Sequence, residues 1–274
     1  MTLQTTDRVL SNPALARRKS VPVQGASNPA FTVSWARSAA EMREAQRLRY
    51  LVFAREMGAQ LQTLPGMPEL IDADRFDPYC DHLLVRAAGG LHGRGQVVGT
   101  YRVLGPNAAR RAGGLYAETE FDLAPLAGLR ARAVELGRSC VHPAWRTGGV
   151  IMALWTALGQ YMIKHELETM VGCASISLSD GGDTARRLWQ RLSRTHLAEP
   201  RWQVEPYVPL ALFEHDAAGP ATTLVTPPLI KGYLRCGALL LGPPALDAAF
   251  NTADLPMMMR IGDLAPRYGN HFLA

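Results

Sequence analysis

Two charged residues stand inside an otherwise apolar segment, Ala133–Val141, whose composition predicts a β-strand. Glu135 and Arg138 lie three positions apart, so the alternation of a strand predicts that they point to opposite faces. A charge in such a segment is costly unless it is exposed to solvent or paired with an opposite charge. Both residues are therefore candidates for a catalytic or binding site.

Three acids, Asp72, Asp74 and Asp77, lie close together before the next predicted strand. A calcium-binding loop would need an oxygen ligand at its fifth position and glycine at its sixth, where this chain has Phe76 and Asp77. Calcium binding is therefore not expected. Two interpretations stay open: a solvated acidic loop, or an anionic wall for a cationic substrate.

The segment Arg146-Thr147-Gly148-Gly149 forms a predicted turn between a strand and a helix. Backbone N–H groups at the start of a helix are unpaired and the helix dipole adds positive charge, so such a turn could bind phosphate. The two glycines also allow a simple tight turn. The chain has neither a Walker phosphate loop nor a dinucleotide-binding glycine motif, which argues against nucleotide chemistry.

Alternating and helical patterns predict the elements that position these residues. Ser38 and Glu41 form a capping box that begins a helix over about 39–57. The remaining predicted elements are strands at 82–86, 96–104, 133–141 and 169–174 and helices at 149–165 and 183–193. This order predicts an α/β or α+β fold, with a central mixed, twisted sheet flanked by helices.

Length and composition are those of a globular protein: 274 residues, 47% of them apolar, with a net charge of +5. We expect a mobile tail at 1–30 and one domain at 31–274, with a distinct C-terminal segment from about residue 200. No apolar stretch is long enough to span a bilayer, and the N-terminus does not resemble a secretory signal. A cytoplasmic location is therefore expected. The positive charge suits an anionic partner.

Several short motifs, taken in order, resemble those of acyl-homoserine-lactone synthases. They are Arg49-x-x-x-Phe53, Asp72-x-Asp74-x-x-Asp77, Val98-Gly-x-x-Arg102 and Glu135-x-x-Arg138. That family usually has Glu at the position of Asp72, an acid of the same charge. The resemblance implies the GNAT (Gcn5-related N-acetyltransferase) fold, an acyltransferase activity and an acyl carrier protein as donor.

The second half of the chain is more similar to the ornithine lipid branch of these acyltransferases. The similarity rests on Val141-His-Pro-x-x-Arg146-x-Gly-x-Val-Ile151, Gly172-Cys-Ala-Ser175, Pro227-Pro-Leu-Ile-Lys-Gly-Tyr-Leu-Arg235 and Arg267-Tyr-x-x-His-Phe272. It implies transfer of a 3-hydroxyacyl chain from acyl carrier protein to the α-amine of L-ornithine, giving lyso-ornithine lipid. Together the motifs span about residues 40–273. No metal or redox cofactor is implied.

The resemblance also implies roles for individual residues. Glu135 would take the proton of the attacking amine, and a backbone N–H just after Arg138 would polarise the thioester carbonyl. Asp72, Asp74 and Asp77 could hold the dibasic amino acid. The expected substrate-binding residues also include Arg49, Phe53 and Arg102, and the expected residues for the donor's phosphopantetheine are Val141, Arg146, Thr147, Gly148 and Gly149. Tyr233 and Tyr268 are candidate proton donors to the leaving thiolate.

Two other functions stay open at this point: a lactone synthase with S-adenosylmethionine as acceptor, and an inactive module that binds a carrier protein or a membrane. Acyl carrier protein and L-ornithine or a related amine are the expected partners, and no nucleic acid is expected. The positive charge and the apolar stretch Cys236–Leu246 could also meet an anionic inner-membrane surface. The alternative is that this stretch is part of the core.

Overall fold

The computed structural model describes residues 31–61, 70–88, 95–211 and 224–264. Its strands are β1 (Phe31–Trp35), β2 (Asp81–Ala87), β3 (Val97–Leu104), β4 (Phe121–Asp122), β5 (Ala133–Val141), β6 (Thr169–Ser177), β7 (Glu205–Pro206), β8 (Leu239–Leu240), β9 (Ala245–Asp247) and β10 (Thr252–Arg260). The α-helices are α1 (Ala39–Tyr50), α2 (Pro106–Ala112), α3 (Gly149–Lys164), α4 (Asp183–Leu192) and α5 (Pro228–Cys236). The predicted tail at 1–30 and Tyr268 lie outside the described residues.

Most of the strands form one twisted, mixed sheet in the order β1-β2-β3-β5-β6-β10-β8, with β9 also paired to β10. All neighbours in this sheet are antiparallel except β5 and β6, which run parallel. The short strands β4 and β7 pair separately. The predicted α/β or α+β class is therefore confirmed, and the central strand at Ala133–Val141 has the predicted bounds.

Helix α3 covers one face of the sheet with an apolar side of its own. Val150, Leu154, Leu158 and Met162 are buried there in one cluster with residues of β2 and β3. Gly99 of β3 lies directly below this helix, and a Cβ at this position would collide with the Val150 side chain. This close approach holds the start of α3 against the sheet, next to the end of β5.

Helix α1 begins as predicted, because the Ser38 side chain accepts a hydrogen bond from the backbone N–H of Glu41 at 3.2 Å. The α-helix is shorter than expected, however, since a π-helical turn over Leu51–Glu56 replaces its last turns. Such turns are rare and often occur at functional sites. Here the π-helical turn carries Phe53 and Glu56 to the wall of a large cavity.

The apolar stretch Cys236–Leu246 belongs to the core, which decides between the two interpretations of the sequence. Leu240 and Leu241 are completely or almost completely buried, and β8 and β9 within this stretch pair with β10. Most of the stretch therefore packs inside the protein, and only Leu246 at its end is exposed. Among the described residues, no helix combines the length and apolarity needed to cross a bilayer.

Candidate active site

The parallel strands β5 and β6 separate part of the way along their length, and a cavity of about 670 Å³ opens between them. Their described ladder pairs run from Ala133–Thr169 to Glu135–Val171 and no further. At the point of separation, a Cβ on Gly172 would collide with the Leu136 carbonyl oxygen, so this close approach requires glycine. Beyond Gly172, the facing edges of β5 and β6 do not pair with each other, so their backbone groups can pair with a ligand.

A β-bulge in β5 brings Glu135 and Arg138 to the same cavity. The register between β3 and β5 shifts between Thr100 and Arg102, so β5 has one extra residue at this point. Arg138 lies in the bulge with a φ of +50°, which is uncommon for a residue other than glycine. The prediction that Glu135 and Arg138 point to opposite faces is wrong, because both side chains contact Tyr116, and the extra residue explains the reversed alternation.

Glu135 is buried and holds a short 3₁₀ turn in place. Its Oε2 accepts a hydrogen bond from the backbone N–H of Tyr116 at 2.6 Å, and its Oε1 accepts one from that of Ala117 at 2.7 Å. Burial raises the pKa of Glu135, and these two hydrogen bonds oppose that rise. The carboxylate therefore anchors Tyr116–Thr119 while it lines the cavity.

Arg138 places its guanidinium between two aromatic rings. The guanidinium carbon lies 4.6 Å from the ring centroid of Tyr116 and 4.6 Å from that of Phe250. Its nitrogens lie 3.4 Å from Asp72 and 3.3 Å from Asp74, distances too long for strong ion pairs. This cation is therefore fixed in orientation and only weakly neutralised where it borders the cavity.

The three predicted acids lie behind that wall in a network of buried ion pairs. Arg49 contacts Asp72 at 2.8 Å and Asp77 at 2.7 Å, and Arg102 contacts Asp74 at 2.6 Å and Asp77 at 3.2 Å. Burial alone would raise the pKa of Asp77, but the two arginines hold it well below its usual range. None of the three acids lines the cavity, and neither does Arg49. Their geometry is that of a support held by ion pairs, which is neither the solvated loop nor the anionic wall that the sequence left open.

The predicted phosphate turn lies at one mouth of the cavity, where β5 ends and α3 begins. Arg146 forms a two-pronged ion pair with Glu56, with Nη–Oε distances of 2.5 and 2.7 Å. Gly148 has a φ of +93°, and its Cα faces open space. Of the residues predicted to bind phosphopantetheine, Val141, Arg146 and Gly148 line the cavity, whereas Thr147 and Gly149 do not.

Phe53, Arg102 and Tyr233, which the sequence also singled out, all line the cavity. The hydroxyl of Tyr233 forms a hydrogen bond with that of Tyr101, and its ring stacks on Trp155 with a centroid distance of 5.6 Å. Burial raises the pKa of Tyr233 well above its usual value, so this phenol keeps its proton at neutral pH.

Sequence reasoning missed a group of acids at the far side of the cavity. Asp247 and Asp254 line it, and donor atoms of Glu120, Cys173 and Asp254 lie within 4.8 Å of one another. Burial and neighbouring carboxylates raise the pKa of Glu120 to about 8 and that of Asp254 to about 6. The sequence carried one signal for this group, because Asp254 is a charged residue within an otherwise apolar strand, as Glu135 is.

Comparison with known proteins identifies relatives over most of the chain. Residues 48–156 match the family model described as an acetyltransferase (GNAT) domain. An L-ornithine N(alpha)-acyltransferase of Rhizobium meliloti is 38% identical over 86% of this chain and 82% of its own. A protein of the same name from Brucella abortus is 36% identical over 88% of each chain.

A solved structure supports the fold. FeeM, an N-acyl amino acid synthase from uncultured soil microbes, superposes with a TM-score of 0.50 at 10% identity, over 87% of this chain and 96% of its own. This agreement matches the GNAT domain found in the sequence, and the similarity to the curated relatives extends well beyond that domain on its C-terminal side. The chain therefore belongs to the L-ornithine N(alpha)-acyltransferase family and is an acyltransferase of the GNAT fold.

Proposed function

We propose that this acyltransferase moves a 3-hydroxyacyl chain from acyl carrier protein to the α-amine of L-ornithine and so forms lyso-ornithine lipid. The observation that carries the proposal is the cavity between β5 and β6. It connects a turn suited to phosphate with a wall that bears Glu135 and the sandwiched Arg138. The names of the curated relatives support L-ornithine as the acceptor.

The donor's pantetheine arm would enter along the separated edges of β5 and β6. An extended amide chain can pair with the free backbone groups of a strand edge. Its phosphate would then meet Gly148 and the N-terminus of the 16-residue helix α3, where unpaired N–H groups and the helix dipole favour an anion. Arg146 could join this contact by exchanging Glu56 for the phosphate. The net charge of +5 suits an acidic carrier protein.

The acyl chain would lie against the apolar part of the cavity wall. Trp155 and Leu229 line it on one side, and three consecutive methionines of β10 line it on another, Met257, Met258 and Met259. Methionine side chains are flexible and adapt to irregular apolar ligands. This wall therefore suits a long hydrocarbon chain better than an acetyl group.

Catalysis would follow from direct attack of the amine on the thioester. A backbone N–H just after Arg138 would polarise the carbonyl, a contribution of about 3 kcal/mol to the transition state. Glu135, directly or through a water, would accept the proton as the C–N bond forms. The C–S bond then breaks, and the hydroxyl of Tyr233, which lines the cavity, would give its proton to the thiolate. The proton that Glu135 took from the amine would pass to solvent, and Tyr233 would recover a proton from solvent, so the cycle balances.

The same geometry suggests how the acceptor's carboxylate is held. Arg49 and Arg102 are occupied by short ion pairs, whereas Arg138 makes only long contacts with Asp72 and Asp74. Arg138 is therefore the guanidinium best placed to bind the α-carboxylate. Phe53 packs edge-to-face on Phe250, with ring centroids 5.8 Å apart, and would shape this end of the cavity.

The deciding experiment offers the purified protein 3-hydroxyacyl-carrier protein together with ornithine, lysine, glycine or S-adenosylmethionine. We expect an N-acylated product with ornithine. A lactone product from S-adenosylmethionine would identify a lactone synthase instead, and absence of turnover with every amine would indicate an inactive binding module. With the active pair, Glu135→Gln should lower kcat by about 10²–10⁴-fold. Near wild-type turnover with an unchanged pH profile would remove Glu135 from the mechanism.

A further inference from the structure

Two carboxylates line the cavity, and a third, which is distant from them in sequence, lies next to one of them. Glu120 precedes β4, Asp247 ends β9, and Asp254 lies in β10 opposite Ser175 of β6. Asp247 and Asp254 line the cavity, and a carboxylate oxygen of Glu120 lies within 4.8 Å of one of Asp254. These three residues are called the carboxylate triad below.

No cation of the described residues contacts the carboxylate triad directly, although Arg138 lies near enough to lower the pKa of Glu120 and Asp254. In the described parts of the chain, none of its members forms an ion pair with an arginine, lysine or histidine. Asp254 is only 5% exposed and accepts a hydrogen bond from Thr252, which is neutral. The Oε2 atom of Glu120 is fully enclosed and accepts no hydrogen bond from any described residue. Burying an ionised carboxylate is costly, which is why the pKa values of Glu120 and Asp254 are raised, and a cation bound next to them would offset that cost and favour their ionised forms.

The chemistry of the carboxylate triad favours an ammonium group over a metal ion as its ligand. An ammonium has three donors, and here Asp247 and Asp254 line the cavity with Glu120 next to Asp254. Cys173 is the nearest potential metal ligand, but burial and the adjacent acids raise the pKa of its thiol well above its usual value. With Cys173 the group offers a metal ion two carboxylates and one thiol and, among the described residues, no histidine, which is fewer ligands than calcium or structural zinc sites use.

We propose that Glu120, Asp247 and Asp254 bind the side-chain ammonium of the amino-acid acceptor. This inference rests on the proposed function and extends it, because it assigns the selection of a dibasic substrate to residues outside the Asp72–Asp77 segment. With Arg138 holding the α-carboxylate and the carboxylate triad holding the side-chain ammonium, the α-amine is the acceptor's remaining nucleophile. The site would thereby discriminate against neutral amino acids of the same length.

The test compares kcat/KM for ornithine with that for norvaline, which has the same carbon chain without the side-chain amine. The wild-type protein should prefer ornithine. Asp254→Asn and Glu120→Gln should each lower kcat/KM for ornithine by about 10–100-fold, as expected for loss of a charged hydrogen bond, and change that for norvaline by less than about 3-fold. Glu199→Gln, which removes an exposed acid paired with Arg201, should leave both values unchanged.

Several outcomes would overturn the inference. Equal losses of kcat/KM for ornithine and for norvaline would show that these acids have a structural role. An unchanged preference for ornithine over norvaline in both variants would show that they have no role in substrate selection. A stoichiometric metal in the purified wild-type protein that is lost from Asp254→Asn would make the group a metal site. If Asp254→Asn does not fold, the Glu120→Gln variant tests the inference in its place. The rise in Tm of the wild-type protein with ornithine, compared with the rise with norvaline, tests it independently. A wild-type protein inactive with both amino acids would refute the proposed function as well.

Discussion

Replacing Arg49 by methionine tests whether the buried ion-pair network supports the site. Arg49 is 1% exposed and donates hydrogen bonds to Asp72 and Asp77, at 2.8 Å from Nε to Asp72 and at 2.7 and 3.0 Å to Asp77. Arg49→Met fills a similar volume but leaves two carboxylates buried without their main cation. Breaking a buried pair in this way costs about 3–5 kcal/mol, which corresponds to a fall in Tm of about 6–20 °C for a chain of this size.

An exposed ion pair provides the matched control. Arg132 and Glu168 form an ion pair with side chains 59% and 57% exposed, so Arg132→Met should cost less than about 1 kcal/mol. Both variants remove one arginine and have the same new side chain. The comparison therefore separates the effect of burial from that of net charge. Urea denaturation at pH 7, followed by circular dichroism, measures both free energies of unfolding.

The dependence on pH gives a second test of the same explanation. The folded-state pKa of Asp77 lies below its unfolded value of about 4, so its ion pairs stabilise the protein above that pH and lose this effect as the pH falls below it. Without Arg49, the folded-state pKa of Asp77 rises and the carboxyl can take up a proton. The cost of Arg49→Met should therefore be largest at pH 7 and decrease towards pH 4. Equal costs for the two variants, or a cost independent of pH, would refute the reasoning.

Three further predictions concern the cavity, the donor and the surface. Gly172→Ala would force β6 away from the Leu136 carbonyl oxygen. This variant should destabilise the protein by about 1–3 kcal/mol and lower kcat. A wild-type free energy of unfolding together with a wild-type kcat would contradict the assigned close approach. Because Glu56 neutralises Arg146, the turn should suit one phosphate better than the several of coenzyme A. We expect a higher kcat/KM for the acyl carrier protein donor than for the matching acyl-coenzyme A, and this preference should decrease as the salt concentration rises. Equal kcat/KM values for the two donors at low salt would refute the preference. With most of Cys236–Leu246 buried, attachment to anionic liposomes should be electrostatic, so sedimentation should occur at low salt and disappear at high salt. Pelleting that survives high salt would indicate hydrophobic insertion.

Local patterns in the sequence predicted the elements of this fold and much of the site. The strand at Ala133–Val141 and helices α3 and α4 could be found because alternation, apolar stripes and caps are properties of neighbouring residues. For the same reason, the phosphate turn could be located between β5 and α3. The ordered motifs also identified the family, because each is a short run of residues whose spacing can be read directly.

The tertiary structure alone decided how the charges are distributed around the cavity. Asp72, Asp74 and Asp77 are adjacent in the sequence, but their arginine partners come from two other elements, α1 and β3. The carboxylate triad joins Glu120 to Asp247 and Asp254, which lie more than 120 positions further along the chain, and no local pattern relates Glu120 to the other two. Which carboxylates are neutralised and which are left for a ligand thus depends on long-range packing.

Two further features also required the folded chain. The bulge at Arg138 reverses the strand alternation because one residue of β5 has no counterpart on β3, and the segment itself carries no signal for that mismatch. The apolar stretch Cys236–Leu246 has the same composition whether it is core or surface, and its pairing with β10 is what buries it. Local sequence determines which elements form, whereas register and burial depend on the neighbours that each element meets.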